Sequence, residues 1–422
     1  MYQQDFIATI KKNKSLLANM ANLGFIQVSN ILIQIILFPV IIRMVGIESF
    51  GYIAVANAFA GLLGIFINFG TNLSGIKDIA LAKNEKNKLS ALFFDIYYTR
   101  ISLFILIGIV PLIAYLLDHQ KLTYLLFATP IVMAELINPL FFFNGIEKLS
   151  LFNTANLLAK LSSAALIIIF IPIQKDPWWV NFYLGFGNLL FFSLLAIYAI
   201  YKYQLQWQKY VLINFLKIIK NNFYLVCNNL VVHLQQSLFL FILPSVASAF
   251  VVGAYSLADK IISTFRMLIV AMSSGLYPKA ALSYESQKSN WFQYKKKLNF
   301  ILFGAFMLVS AVLYWGNQMI VQILSGSKDS LALIYVRSIA LVPLLSAMNT
   351  LNIIELLIKN KYQLIFYSSL VLSVFVMVLS PLVAFQFTPD MYGYYPLMVE
   401  AAAIPITLYF IKRNRKMSLD LK

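Results

Sequence analysis

The stretch from Val251 to Lys279 carries Asp259, Lys260 and Arg266 inside an otherwise apolar run long enough to cross a membrane as a helix. Ionisable groups at such a depth must face protein or water, which makes them the first candidates for function. Asp259, Ser263 and Arg266 stand at i, i+4 and i+7, on one face of a helix. Other apolar runs contain the bases Arg43, Arg100, Lys160 and Arg337 and the acids Asp95, Glu135, Glu355 and Glu400. Guanidinium groups offer a planar fork to oxyanions, so the bases suit a substrate bearing phosphate or acidic sugars. Asp95, Glu135, Asp259 and Glu400 are candidates for a protonation or sodium site coupled to an ion gradient. Arg43, Glu355 and Arg337 lie close enough to the ends of their runs to snorkel to the interface. Amides add a second pattern: Gln27, Asn30 and Gln34 share one helical face, and Asn229, His233 and Gln236 repeat it. Such faces either glue helices together by hydrogen bonds or line a shared cavity, and both roles stay open here.

The elements that must position these groups are membrane helices. Of 422 residues, 61% are hydrophobic and 12% are charged, and the mean hydropathy is +0.79, against about 25% charged in an ordinary soluble domain. A helix needs roughly 20 apolar residues to cover the bilayer core. Twelve stretches qualify: 20–43, 51–71, 91–117, 122–144, 152–173, 179–201, 222–244, 250–276, 298–323, 331–357, 362–387 and 392–411. Their continuity excludes the alternating strands of an outer-membrane barrel. The first run follows three lysines as a signal peptide would, but is too long for one and reads as a retained signal anchor.

The connecting segments test this count. With both termini cytoplasmic, 24 of the 33 basic residues fall on the cytoplasmic side and four, Arg43, Lys121, Lys175 and Lys328, on the other. That asymmetry is what the positive-inside rule requires. The net charge of +17 is thereby explained by topology and anionic lipid, without nucleic acid. The single cysteine, Cys227, excludes a disulfide within the chain.

A shift of 202 residues superposes Gly51, Ala56 and Asn57 on Gly253, Ala258 and Asp259, Lys77 on Lys279, and Gln27 and Gln34 on Asn229 and Gln236. Twelve spans thus divide into six and six as a parallel repeat, the arrangement that puts a substrate between two lobes. The expected fold is all-α and polytopic, with lobes at 1–201 and 222–422 joined by a cytoplasmic linker at 202–221.

Function classes narrow by absence. The sequence has no GxxxxGK[ST], HExxH, paired CxxC or triad-bearing GxSxG, and its two histidines, His119 and His233, are too few for a histidine-built metal site. A transporter without cofactor, other than a coupling proton or sodium ion, is expected. A membrane polymerase or glycosyltransferase is disfavoured by the short loops opposite the basic side.

The pattern NLGFIQVSNILIQIILFPVIIRMVGIESFGYIAVANAF, followed by NFGTNLSGIKDIA, resembles the start of the Wzx-type flippases of bacterial polysaccharide repeat units. VVGAYSLADKIISTFRMLIVAMSSGLYPKAA is similar to that family's second-half signature. The resemblance covers roughly residues 20 to 411, and extends to a superfamily that includes the multidrug and toxin extruders (MATE). It implies a multi-pass protein of the bacterial inner membrane that moves an undecaprenyl-diphosphate-linked oligosaccharide, of the O-antigen or capsule kind, by alternating access. Arg43, Arg100, Lys160, Lys260, Arg266 and Arg337, with Gln27, Gln34, Asn229 and Gln236, would then meet the cargo. A polysaccharide polymerase and a chain-length regulator are the partners it implies. A multidrug antiporter of the same architecture is the alternative.

Overall fold

The computed structural model describes the backbone of residues 2–117, 119–286 and 288–419, and side chains from 29 to 412 save 30, 31, 34, 108–121, 278 and 286–290. Gln27, Gln34 and the first part of the expected signal anchor at 20–43 lie outside the described side chains. Among the described residues there is no strand. The first half holds α1 (Tyr2–Asn68), α2 (Thr71–Ala82), α3 (Lys86–Leu117), α4 (His119–Phe127), α5 (Thr129–Ile137), α6 (Leu140–Gly145), α7 (Leu149–Gln174) and α8 (Trp179–Lys202). The second holds α9 (Leu212–Val246), α10 (Ala249–Ser286), α11 (Lys288–Trp315), α12 (Asn317–Ser325), α13 (Ser330–Ser338), α14 (Val342–Ile358), α15 (Tyr362–Gln386), a 3₁₀ turn at Pro389–Tyr394 and α16 (Tyr395–Leu419).

Eleven helical segments among the described residues are long and apolar enough to cross a membrane. The expectation of twelve differs at one place. Ile35–Ala82 is a single segment where the sequence suggests two spans, because α1 runs through Gly46 without leaving a loop. Gly46 has φ 80° and ψ 161°, a conformation open to a residue without Cβ, so it breaks the helix in place.

Other spans are interrupted where proline or left-handed backbone removes helical hydrogen bonds. Phe69 and Gly70, at φ 45° and 71°, separate α1 from α2. Span 122–144 is assembled from α4, α5 and α6, with Pro130 opening α5 and Pro139 opening α6. Span 331–357 is likewise split into α13 and α14, with Pro343 in the first turn of α14.

Packing within each half uses its own helices, with a phenylalanine-rich cluster around Phe93, Phe141, Phe142 and Phe143 in the first and one around Trp291, Phe306 and Leu351 in the second. A third cluster crosses between them, and its main seam is α1 against α10. The stretch 203–211 is strapped along α3: Lys86 Nζ donates to Gln204 Oε1 at 2.7 Å, Ser90 Oγ accepts from the Gln206 N–H at 3.0 Å, and Tyr98 Oη donates to the Gln208 carbonyl at 2.6 Å. Trp207 packs on Phe94 with centroids 4.9 Å apart. The remainder of 202–221, from Leu212 on, is the first part of α9.

Candidate functional site

Among the described residues, polar clusters on α1 and α10 fall within apolar helical segments. The first is built on α1 after its break. Gly61 and Gly64, three residues apart, present one glycine face to α9 and one to α5. A Cβ at Gly61 would stand 3.2 Å from His233 Cε1, and one at Gly64 would stand 3.0 Å from Glu135 Cγ. The missing side chains therefore admit both groups to the helix surface. They line a cavity of about 400 Å³ with Asn68, Asn72 and Asn229. Glu135 accepts from Asn68 Nδ2 at 3.3 Å and from Asn138 Nδ2 at 3.2 Å. His233 Nε2 lies 2.9 Å from the Ala58 carbonyl. A carbonyl only accepts, so Nε2 carries the proton and Nδ1 is left for another partner.

Arg100 supports this cavity from behind and does not reach into it. Its side chain is fully buried. Nε donates to Thr71 Oγ1 at 2.9 Å, Nη2 to Asn72 Oδ1 at 2.9 Å, and Nη1 to the Asn138 carbonyl at 2.7 Å and the Glu135 carbonyl at 3.4 Å. Pro139 has no N–H, so the Glu135 carbonyl four residues earlier lacks its helical donor, and Arg100 supplies one. The guanidinium also lies 5.0 Å from the Phe141 ring centroid. Its donors are committed to protein acceptors at two helix breaks, so in this structure Arg100 holds α2, α5 and α6 together.

The second cluster lies on α10. Arg266 Nη2 meets Glu400 Oε1 of α16 at 3.2 Å, with side chains 23% and 14% exposed. Asp259 lies within electrostatic range of Arg266, but the direct partner is Glu400, from a different helix. Tyr255 and Tyr395 are buried beside them. Phe239 stacks on Tyr395 at 4.3 Å, and Ser380 Oγ hydrogen-bonds Tyr395 Oη at 2.8 Å. The neighbouring Lys260 turns the other way and sets Nζ 4.4 Å from the Phe38 ring of α1, bridging the two halves.

The remaining candidates are scattered. Arg43 is exposed and donates to the Gln322 and Ile323 carbonyls near the end of α12, at 3.4 and 2.5 Å, where a cation complements the helix dipole. Asp95 accepts from Asn214 Nδ2 of α9 at 2.9 Å. Lys160 is half-buried on α7, and Gln236 is exposed. Arg337 is exposed at a groove bounded by α11, α13 and α16. Glu355 does not snorkel: it is 1% exposed and paired with Lys295 at 2.6 Å and Lys359 at 2.5 Å. The sequence gives no role to Asn68, Asn138, Tyr255 or Tyr395. Of these, Asn138 was signalled by the Asn-Pro pair, which marks a helix break.

A family model described as polysaccharide biosynthesis protein matches residues 16–282. The chain is 22% identical over 355 residues to a proposed O-antigen transporter of Escherichia coli (strain K12), spanning 83% of this chain and 85% of that one. A proposed O-antigen transporter of Shigella dysenteriae is also 22% identical, over 79% of this chain and 84% of its own. Among solved structures, an inward-facing multidrug resistance MATE transporter superposes with a TM-score of 0.72 at 15% identity, covering 94% of this chain and 99% of that one. A eukaryotic MATE transporter superposes with a TM-score of 0.61 at 14% identity, covering 95% of each. These likenesses identify the fold as that of the MATE transporters.

Proposed function

The chain belongs to the polysaccharide biosynthesis protein family, a multi-pass membrane transporter by fold and relatives, and from that premise we propose that it is a flippase for undecaprenyl-diphosphate-linked oligosaccharide repeat units. It works in the bacterial inner membrane with twelve spans, counting the break at Gly46 as a turn, and with both termini cytoplasmic. Residues 1–201 and 222–422 act as two lobes about the linker 202–221, and alternating access carries the sugar head between them. A proton or sodium ion drives the cycle through one of Asp95, Glu135, Asp259 and Glu400. The polymerase and chain-length regulator of the same glycan are its functional partners.

The observation that carries this proposal is the polar cavity between the halves, where Glu135 and Asn68 of one face His233 and Asn229 of the other. Amides and carboxylates hydrogen-bond sugar hydroxyls, so this lining suits an oligosaccharide head. Deletion of the gene tests it. Lipid-linked repeat units then accumulate on the cytoplasmic face and surface glycan is lost. The MATE fold favours a second possibility, a multidrug antiporter; unchanged glycan with altered drug susceptibility would establish that one instead.

A further inference from the structure

We propose that the groove bounded by α11, α13 and α16 binds the phosphate head of a bilayer phospholipid, with Arg337 as its anion-binding group. The groove has a volume of about 620 Å³, and its polar lining comes from Ser310, Tyr314, Arg337, Ser338 and Tyr394 amid apolar side chains such as Met307 and Leu397. All of its lining residues belong to the second half, so it is separate from the cavity between the halves.

Two observations on the groove call for a ligand. The Arg337 guanidinium lies 4.4 Å from the Tyr314 ring centroid and donates to the Tyr314 hydroxyl. No described carboxylate lies within ion-pair distance of it, and Tyr314 is its one described hydrogen-bond partner, so most of its donor fork is uncommitted. Ser310, 3% exposed, lines the same groove with a buried hydroxyl that has no hydrogen-bond partner. Buried hydroxyls are nearly always satisfied, and a ligand in the groove would supply the missing acceptor.

The surroundings specify the kind of ligand. Beside the groove α11 exposes Leu308, Val312 and Trp315 at 70, 63 and 79%, an apolar face that in a membrane is covered by lipid. Tyr314, Trp315 and Tyr394 all line the groove, and aromatic residues of this kind are enriched at headgroup level. The occupant must offer an oxyanion to the guanidinium and an apolar body to the rest of the lining, and must arrive in the plane of the bilayer. A phospholipid does all three, whereas free phosphate lacks the apolar body. On the proposed topology this is the extracytoplasmic leaflet, and only that assignment rests on the proposed function.

The test is lipid retention by the purified full-length protein, which requires no transport. Native mass spectrometry of the wild type should show one tightly held phospholipid. After delipidation, phosphatidylglycerol should raise the thermal unfolding temperature, and diacylglycerol with the same acyl chains should not. Arg337→Ala should weaken phosphatidylglycerol binding about tenfold, as expected for loss of a charge-assisted phosphate contact, while Arg337→Lys retains part of it. Ser310→Ala should give a smaller loss with an unchanged unfolding temperature in the lipid-free state. The proposal is overturned if Arg337→Ala holds phospholipid as the wild type does, if diacylglycerol stabilises equally, if the retained molecule is a polyprenyl diphosphate, or if the substitution instead dissociates a dimer.

Discussion

Gly51 of α1 and Gly253 of α10 touch through their backbones: a Cβ on Gly51 would stand 2.6 Å from the Gly253 nitrogen, and one on Gly253 would stand 2.0 Å from the Ile47 carbonyl oxygen. They are also the pair that the 202-residue shift superposes, so the two halves meet at equivalent points, as they would on a two-fold pseudo-axis. The contact lies near Arg43 and the α12 end, on the side poor in basic residues. Under the proposed alternating-access cycle this contact would be the closed end and would have to part.

Gly253→Ala is therefore expected to disfavour the closed state without unfolding either half. Overpacking of this kind costs about 1–3 kcal/mol, enough to shift a two-state population by roughly fivefold or more. The measurement is labelling of a cysteine placed at Ile47 by an impermeant maleimide added from outside the cell, in a Cys227→Ser background. Labelling rises in the variant while membrane abundance holds. Equal labelling at equal abundance would mean that the seam does not open.

Arg100 predicts the opposite pattern. Because its donors hold the carbonyls freed by Pro139 and the start of α2, Arg100→Ala leaves several buried acceptors unpaired, a loss of about 3 kcal/mol or more. Arg100→Lys rescues little, since an ammonium cannot span the same acceptors. Thermal unfolding in detergent should fall for both, and surface glycan should fall only in proportion to abundance. Loss of glycan at full abundance would return Arg100 to the cargo path.

The Arg266 and Glu400 pair can be separated into stability and transport. Arg266→Met alone strands the Glu400 carboxylate in a mostly buried site and should cost about 3 kcal/mol. Adding Glu400→Gln removes the stranded charge and restores abundance. If surface glycan returns with it, the pair is a structural strut. Restored abundance without glycan assigns Arg266 to transport, the outcome expected if the cargo diphosphate passes this point.

What was legible in the sequence follows from the range of the forces involved. Helices were readable because each buries its own apolar surface, and the 202-residue shift singled out Gly51 and Gly253, whose backbones meet in the fold. The break at Gly46 was not, since a glycine between two apolar runs reads equally as a loop. The partners of Arg100 were hidden for a related reason: a base inside an apolar run looks the same whether it meets cargo or a carbonyl freed by Pro139 on another helix. The spacing pairs Arg266 with Asp259 on its own helix, while its direct partner Glu400 arrives from α16, which local spacing cannot reveal.

The glycine pair on α1 makes the sharpest test of the cavity. Gly61 and Gly64 admit His233 and Glu135, one from each half, so a methyl group at Gly61 presses on His233 Cε1 at 3.2 Å. A shift of the imidazole away from that methyl strains its hydrogen bond to the Ala58 carbonyl. Gly61→Ala should thus hinder the approach of α9 to α1 by about 1 kcal/mol, and slow transport roughly fivefold at normal abundance. His233→Ala removes the obstacle together with the hydrogen bond. If the two act through this contact, the double variant transports better than Gly61→Ala alone, and the non-additivity of the cycle measures the coupling. Additive losses would instead mean that Gly61 matters for packing elsewhere and that His233 acts on the cargo independently of it.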